Sequence, residues 1–148
     1  MSIKYKTAVI LCGGKGSRLG SLSKKIPKTL IKIQGKEILW YIINVLKLNN
    51  FNHFILPLGY KGNFIKNFVK KNNYFNAKIE MIETGINTNI GKRINKIEKK
   101  IRSKNFLLMN GDAIFDFNLK KYFNLHNNES CGSTFVASES IYQYGTIG

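Results

Sequence analysis

Residues 8–30 read AVILCGGKGSRLGSLSKKIPKTL, and this stretch decides the fold. Ala8 to Cys12 form an apolar run of the length expected for a strand buried on both faces. Three glycines follow it: Gly13, Gly14 and Gly16. Because glycine has no Cβ, such a loop can turn sharply and bring its backbone N–H groups close to a ligand. With Arg18 and Lys28 nearby, the stretch predicts a phosphate-binding loop at the end of a central strand.

Two better known glycine loops do not have this spacing. The Walker A loop needs a glycine, four residues and then Gly-Lys-Ser or Gly-Lys-Thr, which Gly13 to Ser17 do not provide. The dinucleotide fingerprint needs Gly-x-Gly-x-x-Gly, but counting from Gly14 places Leu19 at the third glycine position. The loop is therefore of another kind.

The wider pattern is more informative than the glycines alone. It runs Gly13-Gly14-x-Gly-Ser-Arg-Leu, then Pro27-Lys28-x-Leu, then Ile33-x-Gly35-Lys36-x-Ile38-Leu39. This resembles the signature of the sugar-1-phosphate nucleotidyltransferases, which make nucleotide sugars. A glycine-rich turn with unrelated basic residues nearby is the alternative.

The order of the predicted elements indicates an α/β fold. Apolar runs predict strands at residues 6–12, 53–58, 78–82, 106–109 and 133–138. Apolar residues at helical spacing predict helices at about 37–48, 62–72, 91–102 and 119–128. Their alternation favours a mainly parallel sheet with helices on both faces, a Rossmann-like three-layer sandwich. The resemblance implies the nucleotide-diphospho-sugar transferase type of this fold.

A second candidate site residue, Asp112, follows the strand predicted at 106–109. In open α/β sheets the ligand lies outside the carboxyl ends of the strands, near the point where the strand order reverses. A carboxylate there, beside a phosphate loop, suits Mg²⁺. The alternative is that Asp112 only caps a turn next to Gly111. Asp116 could share a metal, but Asp116 or Asn118 is better placed as the N-cap of the helix predicted from residue 119.

Composition allows one domain and favours a soluble protein. The chain has 148 residues and is 43% hydrophobic, which is enough for a real core. Its net charge of +16 comes mostly from lysines spread over every predicted helix. We interpret this as compositional drift on solvated faces; a basic surface for a polyanion is the alternative. Either way, anionic nucleotides should be attracted.

The cysteines and histidines do not form a recognisable site in the sequence. Cys12 and Cys131 have neither CxxC nor metal-ligand spacing, and Cys12 is expected to be a buried structural thiol. His53 and His126 are isolated, so we expect core or surface histidines rather than catalytic ones. No signal peptide or membrane-length apolar segment is present, which predicts a cytoplasmic protein.

Three further segments narrow the resemblance. They are Ile38-Leu39-Trp40, Leu58-Gly59-Tyr60-Lys61-Gly62 and the loop from Thr84 to Arg93, TGINTNIGKR. Together they resemble the glucose-1-phosphate cytidylyltransferase branch, whose corresponding loop has the pattern Thr-Gly…Thr…Gly-Gly-Arg. Lys92 stands at the second glycine of that pattern. Asn110-Gly111-Asp112-Ala113 leans toward relatives that transfer guanylyl or uridylyl groups.

The resemblance implies a role for each matching residue. Arg18 and Lys28 would be catalytic, binding the triphosphate and the sugar phosphate. Asp112 would be one of two carboxylates that hold Mg²⁺, and Tyr144 with Gly145 would edge the sugar pocket. The nucleotide-binding residues would be Leu11, Gly13, Gly14, Gly16, Ser17, Thr88 and Gly91.

The implied reaction is attack of a sugar-1-phosphate oxygen on the α-phosphorus of a nucleoside triphosphate, with CTP favoured. The products are a nucleotide sugar, used for surface polysaccharide biosynthesis, and pyrophosphate. Expected partners are these two substrates rather than a membrane or a specific nucleic acid, and a homo-oligomer is an open alternative.

Family members are longer than this chain. Residues 1–148 are therefore expected to be the N-terminal, nucleotide-binding part of the domain, with the sugar-binding C-terminal part and the second metal-binding aspartate missing. The alternatives are a nucleotide-binding remnant without catalysis, a small enzyme that borrows its second acid from another subunit, and a basic polyanion-binding module.

Overall fold

The structure is a computed structural model that describes residues 6–14, 25–72, 75–128 and 132–137. The regular elements are β1 (Thr7–Leu11), β2 (Lys32–Ile33), β3 (Lys36–Glu37), α1 (Ile38–Leu48), β4 (His53–Leu58), α2 (Gly62–Lys71), β5 (Lys78–Glu83), α3 (Ile90–Ile97), β6 (Phe106–Asn110) and α4 (Leu119–Asn128). Short 3₁₀ turns occur at Lys28–Leu30 and Glu98–Lys100. None of the described helices is both long and apolar enough to cross a membrane.

The chain forms two compact units, which divide after Phe115. The first contains all the described strands, and the second contains α4 and residues 132–137. Within the second unit, Asn118 caps α4, since its Oδ1 accepts the backbone N–H of Lys121 at 3.1 Å. This confirms the helix N-cap expected at Asp116 or Asn118.

The first unit is built on a parallel sheet with strand order β5-β4-β1-β6. β1 pairs in parallel with β4 on one side and with β6 on the other, with Thr7 opposite both His53 and Phe106. A separate antiparallel pair, β2 and β3, leads into α1. The mainly parallel α/β sheet predicted from the sequence is confirmed.

Helices cover both faces of the central strands. Every residue of β4 and the residues Thr7–Ile10 of β1 are buried, which requires cover on both sides. Crossover connections between parallel strands are right-handed. The chain moves from β1 to β4 to β5 in one direction and then returns to β6, so α1 and α2 lie on one face and α3 on the other. Ile97 of α3 accordingly packs against Val9 and Ile55.

Two elements differ from the sequence prediction. The helix expected over 91–102 is α-helical only from Ile90 to Ile97 and then tightens into the Glu98–Lys100 turn. The strand expected at 133–138 is wrong for residues 133–137, which have no regular secondary structure, and residue 138 lies outside the described part. An apolar run becomes a strand only where a neighbouring strand pairs with its backbone, and the described strands do not pair with this segment.

Candidate active site

A cleft opens at the carboxyl ends of the strands, where the sheet order reverses between β1 and β6. Its volume is about 370 Å³. Six residues singled out in the sequence line it: Leu11, Gly13, Gly14, Lys28, Thr88 and Asp112. The parallel sheet explains this convergence, because it brings the ends of β1 and β6 to the same edge although they are far apart in the sequence.

The remaining predicted site residues are not in this group. Gly91 lies in the first turn of α3 and is exposed, and it does not line the cleft. The others lie outside the described residues: Gly16, Ser17, Arg18, Tyr144 and Gly145.

Lys28 and Asp112 form an ion pair at the cleft. The Nζ of Lys28 lies 2.9 Å from Oδ2 of Asp112, although the two residues are 84 positions apart. Their side chains are 33% and 36% exposed. An exposed ion pair contributes only about 0–1 kcal/mol to stability, so an incoming phosphate or cation can separate it at little cost. The pair thus places one mobile positive and one negative charge where an anionic ligand and its counter-ion would meet.

Arg93 forms hydrogen bonds to residues at or just after the ends of three strands. The sequence analysis assigned it no role. The residue is 5% exposed. Nη1 donates to the carbonyl of Leu58, at 3.0 Å, and to Oγ1 of Thr84. Nη2 donates to the carbonyls of Gly13, at 3.1 Å, and Ile86, at 3.4 Å. Burial lowers the pKa of Arg93 from its ordinary value, but arginine starts so basic that the group stays charged.

One sequence signal could have found Arg93. The chain has 24 Lys and Arg together, of which only Arg18, Arg93 and Arg102 are arginine. A planar group with five donors suits a site with several acceptors better than the ammonium of lysine does. An arginine retained in a lysine-rich chain, at the end of a motif, is therefore a candidate for such a site.

The segment between β5 and α3 forms another wall of the cleft. Oγ1 of Thr88 donates to the carbonyl of Thr84 at 2.6 Å, and Nζ of Lys96 donates to the same carbonyl at 2.8 Å. Asn89 caps α3, with its Oδ1 accepting the N–H of Lys92 at 2.9 Å. Thr88, Asn89 and the first residue of α3 line the cleft, so the positive end of that helix dipole favours negative charge there.

Cys12 lies beside the glycine loop as a buried thiol, as predicted. It is 3% exposed. Burial, assisted by the negative charge of Asp112, raises the pKa of the Cys12 thiol to about 12. The thiolate is therefore scarcely populated at neutral pH, and Cys12 has no nucleophilic role there. Cys131 lies outside the described residues.

His53 is a core histidine at the other end of the sheet. It is fully buried, with Nδ1 3.1 Å from Oγ1 of Thr7 and Nε2 3.0 Å from Oε1 of Glu80. The sequence showed no acid near His53; the parallel pairing of β4 with β5 supplies Glu80. Burial lowers the pKa of His53, although the bond to Glu80 opposes that shift. Since Thr7 is also fully buried, a substrate cannot reach Thr7 or His53, whereas Glu80 is partly exposed.

The cleft offers one carboxylate for the expected Mg²⁺. The described residues include no group of three or more His, Cys, Asp or Glu that could hold a metal ion by themselves. Mg²⁺ commonly binds through one or two carboxylates and completes its shell with water and substrate phosphates. Asp112, at the cleft and opposite a mobile lysine, fits such a site, in which the substrate supplies further ligands.

Comparison with known proteins agrees with this geometry. A family profile described as "Nucleotidyl transferase" matches residues 7–147. The chain belongs to this nucleotidyl transferase family. The family and the fold class predicted from the sequence are thereby confirmed.

Two relatives of known name differ in the nucleotidyl group that their names give. A probable glucose-1-phosphate cytidylyltransferase of Bacillus subtilis (strain 168) is 34% identical over 160 residues, which cover 95% of this chain and 63% of that relative. A D-glycero-alpha-D-manno-heptose 1-phosphate guanylyltransferase of Campylobacter jejuni (serotype O:2) is 32% identical, covering 95% and 62%. The chain thus spans somewhat less than two thirds of the length of these relatives.

A solved structure shows the same fold with a nucleotide ligand. HddC from Yersinia pseudotuberculosis, complexed with GMP-PN, superimposes with a TM-score of 0.72 at 34% identity. The match covers 81% of this chain and 53% of HddC. A solved protein similar to this chain is therefore known in complex with GMP-PN.

Proposed function

We propose that this protein transfers a nucleotidyl group from a nucleoside triphosphate, CTP in the first place, to a hexose-1-phosphate. The products are a nucleotide sugar and pyrophosphate, and we place the reaction in the cytoplasm, where the nucleotide sugar would supply surface polysaccharide biosynthesis. The observation that carries the proposal is the convergence of Gly13, Gly14, Lys28 and Asp112 on one cleft at the switch point of the sheet.

The proposed reaction needs little covalent chemistry from the protein itself. Two anions that repel each other must be held so that a sugar phosphate oxygen lies in line with the α-phosphorus and its pyrophosphate leaving group. Lys28, one-third exposed at the cleft, can follow a phosphate oxygen and offset the charge that develops at phosphorus. Arg18 would act with it, as the resemblance implies. Mg²⁺ held by Asp112 would neutralise charge on the triphosphate.

The choice of CTP rests on the named motifs and on the Bacillus subtilis relative. A guanylyl transfer to a heptose-1-phosphate is the second candidate. The Asn110-Gly111-Asp112-Ala113 segment, the Campylobacter jejuni relative and the GMP-PN complex of HddC favour it.

Calorimetric titration with CTP, GTP, UTP and dTTP in the presence of Mg²⁺ tests the proposal. Pyrophosphate release with glucose-1-phosphate, and separately with D-glycero-α-D-manno-heptose 1-phosphate, would be measured alongside. Selective CTP binding with release from glucose-1-phosphate is the expected result. Preference for GTP and the heptose phosphate would establish the second candidate instead.

Two other outcomes would replace the proposal. Nucleotide binding without release in either assay would identify a binding remnant. Binding of DNA that weakens steeply with salt, with no nucleotide selectivity, would identify a polyanion-binding module.

A further inference from the structure

Arg93 connects the two walls of the cleft through its guanidinium. Its acceptors lie just after β1, at the end of β4 and just after β5, at sequence separations of 80, 35 and 9 residues from Arg93 for Gly13, Leu58 and Thr84. The guanidinium is rigid and planar, so one group holds these acceptors at fixed relative positions. We propose that Arg93 is a positioning residue that sets the spacing between the glycine loop and the Thr84–Thr88 segment, and so determines nucleobase discrimination.

Two glycines lie against this guanidinium. A Cβ on Gly13 would overlap Nη1 and Cζ of Arg93. A Cβ on Gly59 would lie 2.7 Å from Nη1 and 2.7 Å from the carbonyl oxygen of Gly13. At Gly59 a side chain would meet backbone as well as the arginine, so glycine is required there; at Gly13 a side chain would displace the guanidinium. The N–H of Tyr60, just after β4, also donates to the carbonyl of Gly13, at 3.3 Å. This bond joins the glycine loop to the turn after β4.

The positive charge of Arg93, which lines the cleft, also favours an anionic ligand there. Carbonyl oxygens at the carboxyl ends of β1 and β4 carry partial negative charge at the edge where the phosphates would bind. The guanidinium offsets those dipoles from inside the protein. Its bonds go to Gly13, Leu58, Thr84 and Ile86, whereas Lys28 and Asp112 pair with each other. The Thr84–Thr88 segment therefore depends on Arg93 for its position, whereas the Lys28–Asp112 pair does not.

This inference rests on the proposed function and concerns one part of the same site. Under that function the nucleoside lies between the glycine loop and Thr88, the two walls that Arg93 holds. A change in their spacing should alter the binding of the base more than the binding of phosphates. Inorganic tripolyphosphate, which has no base, separates the two effects.

The test compares Arg93→Lys with Arg102→Lys. The single ammonium of a lysine cannot reach four acceptors, whereas Arg102 is 48% exposed and serves as the matched control. For Arg93→Lys we expect the affinity for the preferred nucleotide to fall about 10- to 100-fold, the loss typical of charged hydrogen bonds. The affinity ratio among CTP, GTP, UTP and dTTP should fall toward one, while tripolyphosphate with Mg²⁺ binds within about two-fold of the original protein.

A second variant covers the case in which Arg93→Lys does not fold. Thr84→Val keeps the volume but removes the Oγ1 that accepts from Arg93 and donates to the carbonyl of Leu58 at 2.6 Å. Thr84→Val should also lower base discrimination, but by less than Arg93→Lys does. Thermal unfolding of each variant shows whether the fold is intact.

The remaining outcomes are decisive against the inference. Unchanged discrimination in folded Arg93→Lys and Thr84→Val would overturn it and leave the proposed function standing. Equal losses for nucleotides and tripolyphosphate would mean a general structural role only, which also overturns it. If the unaltered protein binds no nucleotide, the proposed function fails, and the inference fails with it.

Discussion

At the scale of single residues, the site depends on charges that are paired but not buried. Lys28 and Asp112 are each about one-third exposed and 2.9 Å apart. A buried ion pair would be expensive to break, whereas an exposed one exchanges partners easily. The pair is therefore suited to open when phosphate and Mg²⁺ arrive, and its two members can be tested independently.

Replacing Lys28 should remove catalysis and leave the fold intact. For Lys28→Ala we expect turnover to fall about 10²–10³-fold, the usual loss for one electrostatic donor. The melting temperature should stay close to that of the original protein, because the pair with Asp112 is exposed. Lys32→Ala, which removes a 63% exposed lysine, is the control and should retain full turnover. Near-normal pyrophosphate release by Lys28→Ala would contradict the assignment.

Replacing Asp112 should affect the metal dependence of nucleotide binding. In Asp112→Asn the carboxylate is lost but the size is kept, so Mg²⁺ should strengthen nucleotide binding far less than in the original protein. Calorimetric titration with and without Mg²⁺ measures this difference. Asp116→Asn provides the control, and an equal Mg²⁺ effect in the original protein and in Asp112→Asn would rule out the metal role.

At the scale of elements, the cleft is built where strands end and α3 begins. The start of the glycine loop, the turn after β4 and the segment after β5 meet around Arg93. Glycines at these ends serve different purposes. Gly59 is in contact with the guanidinium, whereas Gly91 is an exposed residue in the first turn of a helix.

Alanine at these two glycines should therefore have opposite effects on stability. Gly59→Ala places a methyl group 2.7 Å from Nη1 of Arg93 and should destabilise the protein by about 1–3 kcal/mol, as overpacking does. Gly91→Ala meets only Oδ1 of Asn89, at 3.8 Å, and should stabilise α3 by about 0.5–1 kcal/mol. Denaturant unfolding gives both values. If Gly59→Ala stabilises the protein, there is more space between Gly59 and the Arg93 guanidinium than the structure indicates.

At the scale of the whole first unit, the two ends of the sheet have different roles. The carboxyl ends carry the cleft, and the amino ends carry the buried Thr7 and His53 with the partly exposed Glu80. Glu80 also lies within salt-bridge distance of Lys78, at 3.2 Å, and of Arg102, at 3.9 Å. This polar cluster joins β1, β4 and β5 at the end remote from the ligand, so it should affect stability and not binding.

His53 should make stability depend on pH. Burial lowers the pKa of His53 below its ordinary value of 6.5, so the unfolded chain binds more protons there than the folded one. The free energy of unfolding should therefore fall as the pH drops from about 6.5 toward the lowered pKa of the folded state. The hydrogen bonds from His53 and Lys78 lower the pKa of Glu80 despite its burial, so Glu80 adds a further loss only below its ordinary value of 4.5.

Unfolding measured between pH 7 and pH 5 checks this expectation. His53→Gln should lose the slope in that interval, while His126→Gln, at a half-buried histidine, should keep it. Nucleotide affinity of His53→Gln at pH 7 should match that of the original protein. A slope that survives in His53→Gln would assign it to another group.

The sequence by itself determined which strands and helices form. It also located two parts of the candidate site, the glycines after β1 and the acid after β6. Apolar runs and helical spacing located β1, β4, β5 and β6 and the helices between them, because these patterns reflect burial of neighbouring residues. The glycines after β1 and the acid after β6 were visible for the same local reason. The strand expected at 133–138 was wrong over the described residues 133–137, because an apolar run does not say whether a pairing partner exists.

Tertiary structure alone decided the contacts between distant segments. The bond from Arg93 to Gly13, across 80 positions, and that from His53 to Glu80, across 27, depend on which strands are neighbours. Strand order results from the packing of the complete chain, so no local pattern contains it. The sequence determined the glycine loop and the acid after β6, and the order β5-β4-β1-β6 decided that they share one cleft with a buried arginine between its walls.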